Sequence, residues 1–593
     1  MDIQAQLKQD IQQAIAGLFR VEQPEEVALQ PTKKEFEGLY TFVTFPLTKA
    51  LRKSPVEIGQ AIGAYLQEQS PVVSRFNVVQ GFLNISIADS VWLNVLNTML
   101  GDASFGTLPA KEQSVMVEFS SPNTNKPLHL GHLRNNFLGA SVAEILKANG
   151  YDVVKTCLVN DRGIHICKSM LAYQHFGNGE TPESAGLKGD HFIGKYYVMF
   201  DKAYKQQIEE LVAGGMAKEE AEKKAPLILE AQALLRKWEQ SDVETVALWR
   251  QMNEWVYAGF NATYRTIGVS FDKTYYESNT YLLGKDVIEE GLQKGVFYRK
   301  DDGSVWIDLT EEGLDQKLVL RSDGTSVYMT QDLGTTDLKF QDFHNDRYIW
   351  VVGNEQDYHF AVLFAILRRL GRSYADGLYH LSYGMVDLPS GKMKSREGTV
   401  VDADDLIQEM YDTAETRTRD LGKIEDFESE EARTLYHMLA MGALKYFLLK
   451  VDPKKRMLFN PQESVDFQGH TGPFIQYTHA RICSVLRKAE QQGIHPAGSL
   501  PAVDLHPTEQ QLIYLLSQYP QRLAEAGADY APSYLAQYAY ELAKTYNQFY
   551  ADVSILSEPD AQKTVTRVAL SKVVAETIQK AMGLLCIDVP TKM

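Results

Sequence analysis

The most regular pattern of apolar and polar positions lies between residues 114 and 160. The apolar run at 115–119 predicts a buried strand, which a turn rich in Pro, Asn and Gly then ends. Gly131 and His132 begin an amphipathic helix that extends to about residue 149, and residues 153–159 predict the next strand. This alternation of strand, helix and strand predicts a Rossmann-like, doubly wound parallel sheet.

The sheet pattern is interrupted and then returns. Residues from about 185 to 300 are charged and have helical apolar spacing, which predicts a helical insertion rather than further sheet. Strand, helix and strand are predicted again at 348–353, 358–370 and 379–386. Because ligands bind at the carboxyl ends of parallel strands, we expect the turns after residues 119 and 353 to open at the same edge.

Both flanks of the sheet region predict separate domains. Residues 1–108 combine a helical start with short alternating strands, which is typical of a small α+β domain. Residues 431–593 have helical spacing almost throughout, with prolines between the helices, and predict an all-α domain. We therefore expect a multidomain α/β protein with domains at 1–108, 109–430 and 431–593.

The composition supports a globular protein of several domains. The chain has 593 residues, of which 44% are apolar and 23% charged, and no apolar run approaches the roughly 20 residues that span a bilayer. The N-terminus has no secretory signal pattern. The cysteines show neither metal-ligand nor CxxC spacing, which predicts idle thiols in a reducing compartment and no structural metal: Cys157, Cys167, Cys483 and Cys586.

The net charge and the local charge point in different directions. A formal charge of −17 disfavours nucleic acid as a partner, since such binding depends on neutralising phosphates. Two local clusters, at 445–456 and 481–488, could still form a basic face, and Tyr477 and His479 lie next to the second. The alternative is that each cluster is only a solvated helix face.

The turn after the first strand has the chemistry of a phosphate site. Strand, turn and helix at this spacing gather backbone N–H groups and the positive end of a helix dipole, where polyphosphate binds. His129 and His132 can both donate hydrogen bonds there, and Gly131 lets a flat ring approach the backbone. The alternative is an ordinary βα turn with two surface histidines.

A second loop, at residues 391–398, carries Lys392, Lys394 and Arg396 between flanking glycines. Cations on such a loop can clamp a triphosphate and neutralise charge as diphosphate leaves. Taken alone, the same loop more often marks an exposed basic hairpin tip.

Together the two loops resemble the signatures of class I aminoacyl-tRNA synthetases. The residues 129–132, His-Leu-Gly-His, resemble His-Ile-Gly-His, and 392–396, Lys-Met-Lys-Ser-Arg, resemble Lys-Met-Ser-Lys-Ser in altered form. The longer stretches 121–134 and 471–481 and the terminal Met593 resemble the arginyl-tRNA synthetases in particular. The resemblance covers the whole chain and implies an added N-terminal domain that contacts tRNA, a split catalytic domain and an anticodon-binding helical domain.

The resemblance also implies the reaction. ATP, accompanied by Mg²⁺, activates L-arginine to arginyl-adenylate with release of diphosphate, and the arginyl group passes to the 3′ terminal adenosine of tRNA(Arg) for protein biosynthesis. We expect a cytoplasmic monomer that binds no membrane. Two alternatives stay open: a nucleotidyltransferase of the same fold that uses no RNA, and a non-catalytic RNA-binding paralogue.

The family's functional residues can be carried over by position. The guanidinium of arginine is expected at Tyr328, Asp332 and Gln356, and its α-amino and carboxylate end at Glu118, Asn123, His132 and Asn160. ATP is expected at Lys126, His129, Gly131, His132, Gly353, His359, Met393, Lys394 and Ser395, with Lys392 and Arg396 in the catalytic set. Contacts with tRNA are expected from Tyr477, His479, Arg481 and Met593, and stacking on bases from Tyr538, Tyr546 or Phe549.

One departure from the family pattern concerns the second signature. Its fourth position, usually lysine, is Ser395 here, and the lysine stands at Lys394. Lys126, just before the first signature, is the expected replacement, so we hypothesise that Lys126 contacts the ATP phosphates together with Lys394 or Arg396.

Overall fold

The computed structural model describes residues 3–20, 27–33, 35–102, 104–387, 401–420, 428–496 and 499–593. Its N-terminal elements are α1 (Ile3–Phe19), β1 (Leu29–Pro31), β2 (Tyr40–Val43), α2 (Thr48–Leu51), α3 (Pro55–Gln69), β3 (Val73–Val79), β4 (Phe82–Ile87) and α4 (Asp89–Gly101). The four strands form an antiparallel sheet in the order β1-β2-β4-β3, and α3 packs against β3 and α1. The predicted α+β character of this region is confirmed.

The central part begins with β5 (Ser114–Glu118), α5 (Leu130–Ala148), β6 (Asp152–Val159), α6 (Ile164–Phe176), α7 (Pro182–Ala185), α8 (Gly189–Ala213), α9 (Lys218–Lys224), α10 (Pro226–Glu239), α11 (Val243–Ile267) and β7 (Lys273–Tyr276). It continues with α12 (Glu277–Thr280), α13 (Lys285–Gln293), β8 (Tyr298–Arg299), β9 (Val305–Asp308), β10 (Gln316–Leu320), α14 (Tyr328–Phe343), β11 (Arg347–Gly353), α15 (Asp357–Arg369), β12 (Leu378–Tyr383) and β13 (Val386–Asp387). Short 3₁₀ helices lie at Phe45–Leu47, Thr310–Glu312, Asn354–Gln356 and Ala375–Gly377.

Five of these strands form one parallel sheet in the order β12-β11-β5-β6-β7. The chain runs outward from β5 to β6 and β7, and then returns to the other side of β5 for β11 and β12. The strand order therefore reverses between β5 and β11, which is where ligands bind in open sheets of this kind. The predicted doubly wound fold is confirmed, with the turns after residues 119 and 353 at the same edge.

The position of β7 corrects the predicted extent of the insertion. Helices α8 to α11 fill residues 189–267, but Lys273–Tyr276 pair with β6 as the edge strand of the parallel sheet. The prediction of helix rather than sheet as far as residue 300 is therefore wrong at this strand. An edge strand of four residues, partly exposed, needs no continuous apolar run, so its sequence carries little strand signal.

The C-terminal part consists of α16 (Ala403–Asp420), α17 (Ser429–Leu449), β14 (Met457–Leu458), α18 (Pro461–Ser464), α19 (Gly472–Gln491), α20 (Pro507–Ser517), α21 (Tyr519–Ala528), α22 (Ser533–Asp552) and α23 (Ala561–Leu584). It is helical as predicted, apart from the short parallel pair of β14 with β13. Among the described helices, none is both long and apolar enough to cross a membrane.

Candidate active site

The N-terminus of α5 is closed by a reciprocal pair of histidines. The Nδ1 atom of His129 accepts a hydrogen bond from the Gly131 N–H at 3.1 Å, and Nδ1 of His132 accepts from the His129 N–H at 3.2 Å. An Nδ1 atom that accepts a hydrogen bond carries no proton, so each ring is held as the tautomer protonated at Nε2. Both rings therefore keep one N–H donor for a ligand.

Burial keeps this pair neutral. Desolvation, and then the nearby charge of Lys126, lower the pKa of His129 to about 3, and desolvation with the charges of His129 and Lys126 lowers the pKa of His132 well below its usual value. Burial also lowers the pKa of Lys126. The turn thus joins two neutral N–H donors, one adjacent lysine and the positive end of α5, an arrangement suited to a polyphosphate.

A side chain of α5 ties this helix to the point where the strand order reverses. Asn135 accepts from the Ser120 N–H at 2.5 Å, just beyond β5, and donates to the Val351 carbonyl of β11 at 2.7 Å. A Cβ at Gly139, one turn further along, would lie 2.3 Å from the Phe119 ring. The histidines are therefore held close to the carboxyl ends of β5 and β11, where Gly353 ends β11.

The predicted partners for the α end of arginine meet in the turn before α5. Asn123 and Asn160 form a parallel bridge, in which the Asn160 N–H donates to the Pro122 carbonyl at 2.9 Å. The Asn160 side chain donates to the Ser121 carbonyl at 3.3 Å. The chain thus brings the two asparagines together although they lie 37 positions apart in the sequence.

The predicted guanidinium site contains an unexpected contact. Tyr328 and Asp332 lie one turn apart in α14, as the spacing predicts, and Gln356 lies exposed near the start of α15. His359, which was predicted to contact ATP, instead has Nε2 at 2.6 Å from Asp332. Asp332 lies inside α14 rather than at its N-cap, which is Val327.

Glu118 has a protein partner that the sequence did not reveal. Its Oε2 lies 2.6 Å from Nζ of Lys339, and both side chains are buried. The direct contact with arginine that we predicted for Glu118 therefore competes with an internal ion pair.

Glu277 is a further candidate that the sequence interpretation missed. It follows β7, so it stands at the same edge of the sheet as the other site residues. Desolvation raises its pKa to about 7, opposed by Arg162 and reinforced by Asp161 and Asp332. A strand prediction for 273–276 would have drawn attention to it, since a carboxylate directly after a parallel strand is a candidate ligand.

The second signature lies outside the described residues, and with it Lys392, Met393, Lys394, Ser395 and Arg396. The chain that follows it pairs with the first signature: the Leu130 N–H donates to the Val401 carbonyl at 3.1 Å, and the Ala403 N–H to the Leu128 carbonyl at 2.9 Å. The chain that resumes at Val401, three residues after the second loop, is thus adjacent to the first signature.

The chain that precedes the second signature is held by Arg134. This buried guanidinium donates to the carbonyls of Gly384 and Met385, at 2.6 and 3.3 Å. It also donates to those of Pro453 and Lys455, at 3.2 and 2.9 Å, in the segment between α17 and β14. Arg134 therefore joins α5 to two other parts of the molecule at one place.

One described cluster has the composition of a metal site. Asp190, His191 and Asp404 place their ligand atoms within 4.8 Å of one another. Nζ of Lys188, however, lies 3.2 Å from Asp190 and bonds Asp404 directly. An ammonium ion already balances these carboxylates, so we interpret the cluster as an ion-pair network that links α8 to α16.

The predicted tRNA contacts divide into surface and interior groups. Tyr477 and Arg481 are partly exposed, with the guanidinium 4.8 Å from the ring centroid. His479 is buried and has Nδ1 at 2.9 Å from the Pro590 carbonyl, so it anchors the C-terminal segment rather than facing solvent. Met593 is partly buried against the core.

The proposed base-stacking residues of α22 are part of the core instead. Tyr538, Tyr546 and Phe549 are at most 3% exposed, so stacking on bases is the wrong interpretation for all three. The predicted basic face also changes, because Lys445 is buried and its Nζ donates to the Cys586 carbonyl at 2.6 Å. Helical spacing alone does not show whether the tyrosines of a helix face solvent or are covered by neighbouring helices.

Comparison with known proteins places this geometry in a family. The family described as tRNA synthetases class I (R), catalytic domain, matches residues 94–460. The Arginyl tRNA synthetase N terminal domain matches residues 5–87, and the DALR anticodon binding domain matches 475–593. The chain belongs to the arginyl-tRNA synthetase family.

Similar proteins agree over the whole length. The chain is 59% identical to the Arginine–tRNA ligase of Amoebophilus asiaticus and 56% identical to that of Bacteroides thetaiotaomicron, covering 100% of each chain in both cases. The solved arginyl-tRNA synthetase of Thermus thermophilus superimposes with a TM-score of 0.76 at 25% identity, covering 100% of both chains.

Family membership confirms the predicted fold class and the predicted activity of an arginine–tRNA ligase. It also implies the use of ATP. Both alternatives, an RNA-independent nucleotidyltransferase and a non-catalytic paralogue, are thereby disfavoured.

Proposed function

We propose that the turn at 122–132 binds the phosphates of ATP during arginine activation. The observation that carries this proposal is the pair of neutral histidines beside Lys126 at the N-terminus of α5. Each ring uses Nδ1 within the protein and keeps its Nε2–H as a donor for a ligand. Lys126 supplies the positive charge that the second signature lacks at its fourth position, where Ser395 replaces the usual lysine. Gly131, Gly353, Lys392, Met393, Lys394, Ser395 and Arg396 complete the proposed ATP and catalytic set.

Arginine is proposed to lie across the carboxyl ends of the strands. Asp332, with Tyr328, Gln356 and Glu277, receives the guanidinium, because a planar cation with forked donors favours carboxylates. Its α end lies toward Asn123 and Asn160, next to His132. This assignment leaves His359 as the partner of Asp332 rather than of ATP.

The chemistry then needs positioning more than proton transfer. The ionised carboxylate of arginine attacks the α-phosphorus of ATP, the bond to the bridging oxygen breaks, and diphosphate leaves with the electron pair. A hydroxyl of the terminal adenosine of tRNA(Arg), expected to be the 2′-OH, next attacks the arginyl carbonyl and releases AMP. The protein's part is to align the groups and stabilise charge on phosphorus.

The remaining assignments follow the family pattern. Mg²⁺ would arrive with the nucleotide, as a partner of the phosphates, and no structural metal is proposed. Tyr477 and Arg481 are the proposed tRNA contacts of the helical domain. His479 contacts the Pro590 carbonyl and so anchors the terminal segment that ends at Met593. We further propose domains at 1–108, 109–430 and 431–593, and a cytoplasmic monomer.

The proposed activity is tested by exchange of labelled diphosphate into ATP with each amino acid, with and without bulk tRNA. Exchange with arginine only, in the presence of tRNA, is the expected result. Exchange without RNA would favour the nucleotidyltransferase, and no exchange the paralogue.

The role of Lys126 has its own test. Removing its charge in Lys126→Ala should slow exchange by more than about threefold, which corresponds to about 0.7 kcal/mol of barrier. A smaller effect would show that Lys126 does not contact the phosphates.

A further inference from the structure

The ion pair of Lys339 with Glu118 is buried on both sides. Nζ and Oε2 are 2.6 Å apart, and the ammonium also lies 5.6 Å from the Trp350 ring centroid and 5.7 Å from that of Tyr275. Thr156 donates to the same carboxylate oxygen at 3.4 Å. Burying a charged group costs desolvation free energy, which a partner of opposite charge offsets. Removing either Lys339 or Glu118 alone would therefore leave an unpaired buried charge and destabilise the fold.

The pair joins two elements that carry the proposed arginine site. Glu118 is the last residue of β5 and stands opposite Trp350 of β11, at the reversal of the strand order. Lys339 lies on α14, seven residues after Asp332. Seven residues are close to two helical turns, so both project from one side of α14.

We propose that Lys339 is a positioning residue of the arginine site. By pairing with Glu118 it seats α14 on the end of β5, and so sets the distance of Asp332 from the α-end residues Asn123 and Asn160. It also balances the charge of Glu118, which leaves Asp332 and Glu277 as the carboxylates that meet the guanidinium. The inference rests on the proposed function of this pocket.

This role differs from that of a core ion pair in what its loss changes. If Lys339 only stabilises the fold, its removal lowers the melting temperature and leaves the kinetics of the folded fraction intact. If it positions Asp332, the folded enzyme binds arginine less well while its ATP site, built on α5, is unaffected. The two Michaelis constants therefore separate the two roles.

The experiment uses the full-length enzyme with tRNA present and measures KM for arginine, KM for ATP and the melting temperature. We expect Lys339→Met to raise KM for arginine by roughly tenfold or more, because it removes the ion pair that holds α14 on β5. KM for ATP should stay within about twofold of the wild-type value. Lys339→Arg keeps the charge and should restore KM for arginine to within about threefold.

A matched control pairs with the same helix from outside it. Arg372 pairs with Asp337 of α14 and with Glu290, away from Glu118. Arg372→Met should lower the melting temperature without changing KM for arginine. An equal rise in KM in this control would overturn the proposal, because general loosening of α14 would then account for the effect.

A double variant decides the matter if Lys339→Met fails to fold. Lys339→Met with Glu118→Gln leaves no unpaired buried charge, so it should fold better than the single variant. A raised KM for arginine in the double variant supports the proposal, and a wild-type KM overturns it. Failure of the proposed function is distinct, since Asp332→Asn would then leave KM for arginine unchanged as well.

Discussion

The main-chain N–H of His129 donates to Nδ1 of His132, 3.2 Å away, while the ring of His129 caps the N–H of Gly131. One atom of each imidazole is thus used to begin α5, and the other is left as a donor. Each signature histidine uses one nitrogen at the helix start and keeps the other for the proposed contact with ATP, so the two roles can be separated by substitution.

His132→Asn should separate them. The Asn Oδ1 can accept the His129 N–H in place of Nδ1, but no group remains where Nε2–H was. We expect diphosphate exchange to fall by about 100-fold, the usual order for one lost charge-stabilising donor, with little change in melting temperature. His132→Gln is the control, because its amide reaches the Nε2 position; an Asn variant as active as the Gln variant would contradict the assignment.

Acid should weaken the contribution of His129 to stability. Its folded pKa is about 3, below the unfolded value of about 6.5, so the unfolded chain binds the extra proton as the pH falls below 6.5. At pH 5 the loss amounts to roughly 2 kcal/mol. The difference in melting temperature between the wild type and His129→Asn should therefore narrow from pH 7 to pH 5, since the variant has no such group to protonate.

Arginine binding should depend on pH through Glu277. Its pKa of about 7 means that it is half protonated at neutral pH, and a guanidinium favours the ionised form. KM for arginine is therefore expected to rise as the pH falls from 8 to 6, while KM for ATP stays level. Glu277→Gln should raise KM at pH 8 and remove the dependence on pH. A slope that persists in this variant would place the titrating group elsewhere.

Removing Arg134 should cost much more than removing an exposed arginine. Arg134→Met removes the guanidinium donor of the Gly384 and Lys455 carbonyls, and one of two donors from those of Met385 and Pro453. We therefore expect a loss of several kcal/mol, seen as a large drop in melting temperature. Arg456→Met, which breaks an exposed pair with Asp387, should cost about 0–1 kcal/mol.

Gly384→Ala probes the same junction independently, because its Cβ would lie 2.6 Å from the main-chain nitrogen of Arg456. Its melting temperature should fall together with that of Arg134→Met. Wild-type stability of Gly384→Ala would mean that the junction is not tightly packed.

Local signals account for the parts of the site that the sequence could predict. The apolar run at 115–119 and the turn with Gly131 and His132 mark a strand, a loop and a helix start within 20 residues, and the structure has all three. Short edge strands carry weaker signals, which is why β7, and Glu277 after it, escaped prediction.

The sequence by itself determined the family, the order of strands and helices around the signature turn, and the residue types proposed to meet arginine and ATP. Only the tertiary structure decided which of those side chains also have a partner within the protein. Glu118 is paired with Lys339, Asp332 with His359, and His479 with the C-terminal segment. Such pairings join residues from 27 to more than 200 positions apart, and they form because packing removes water from polar groups, a condition that no local pattern records.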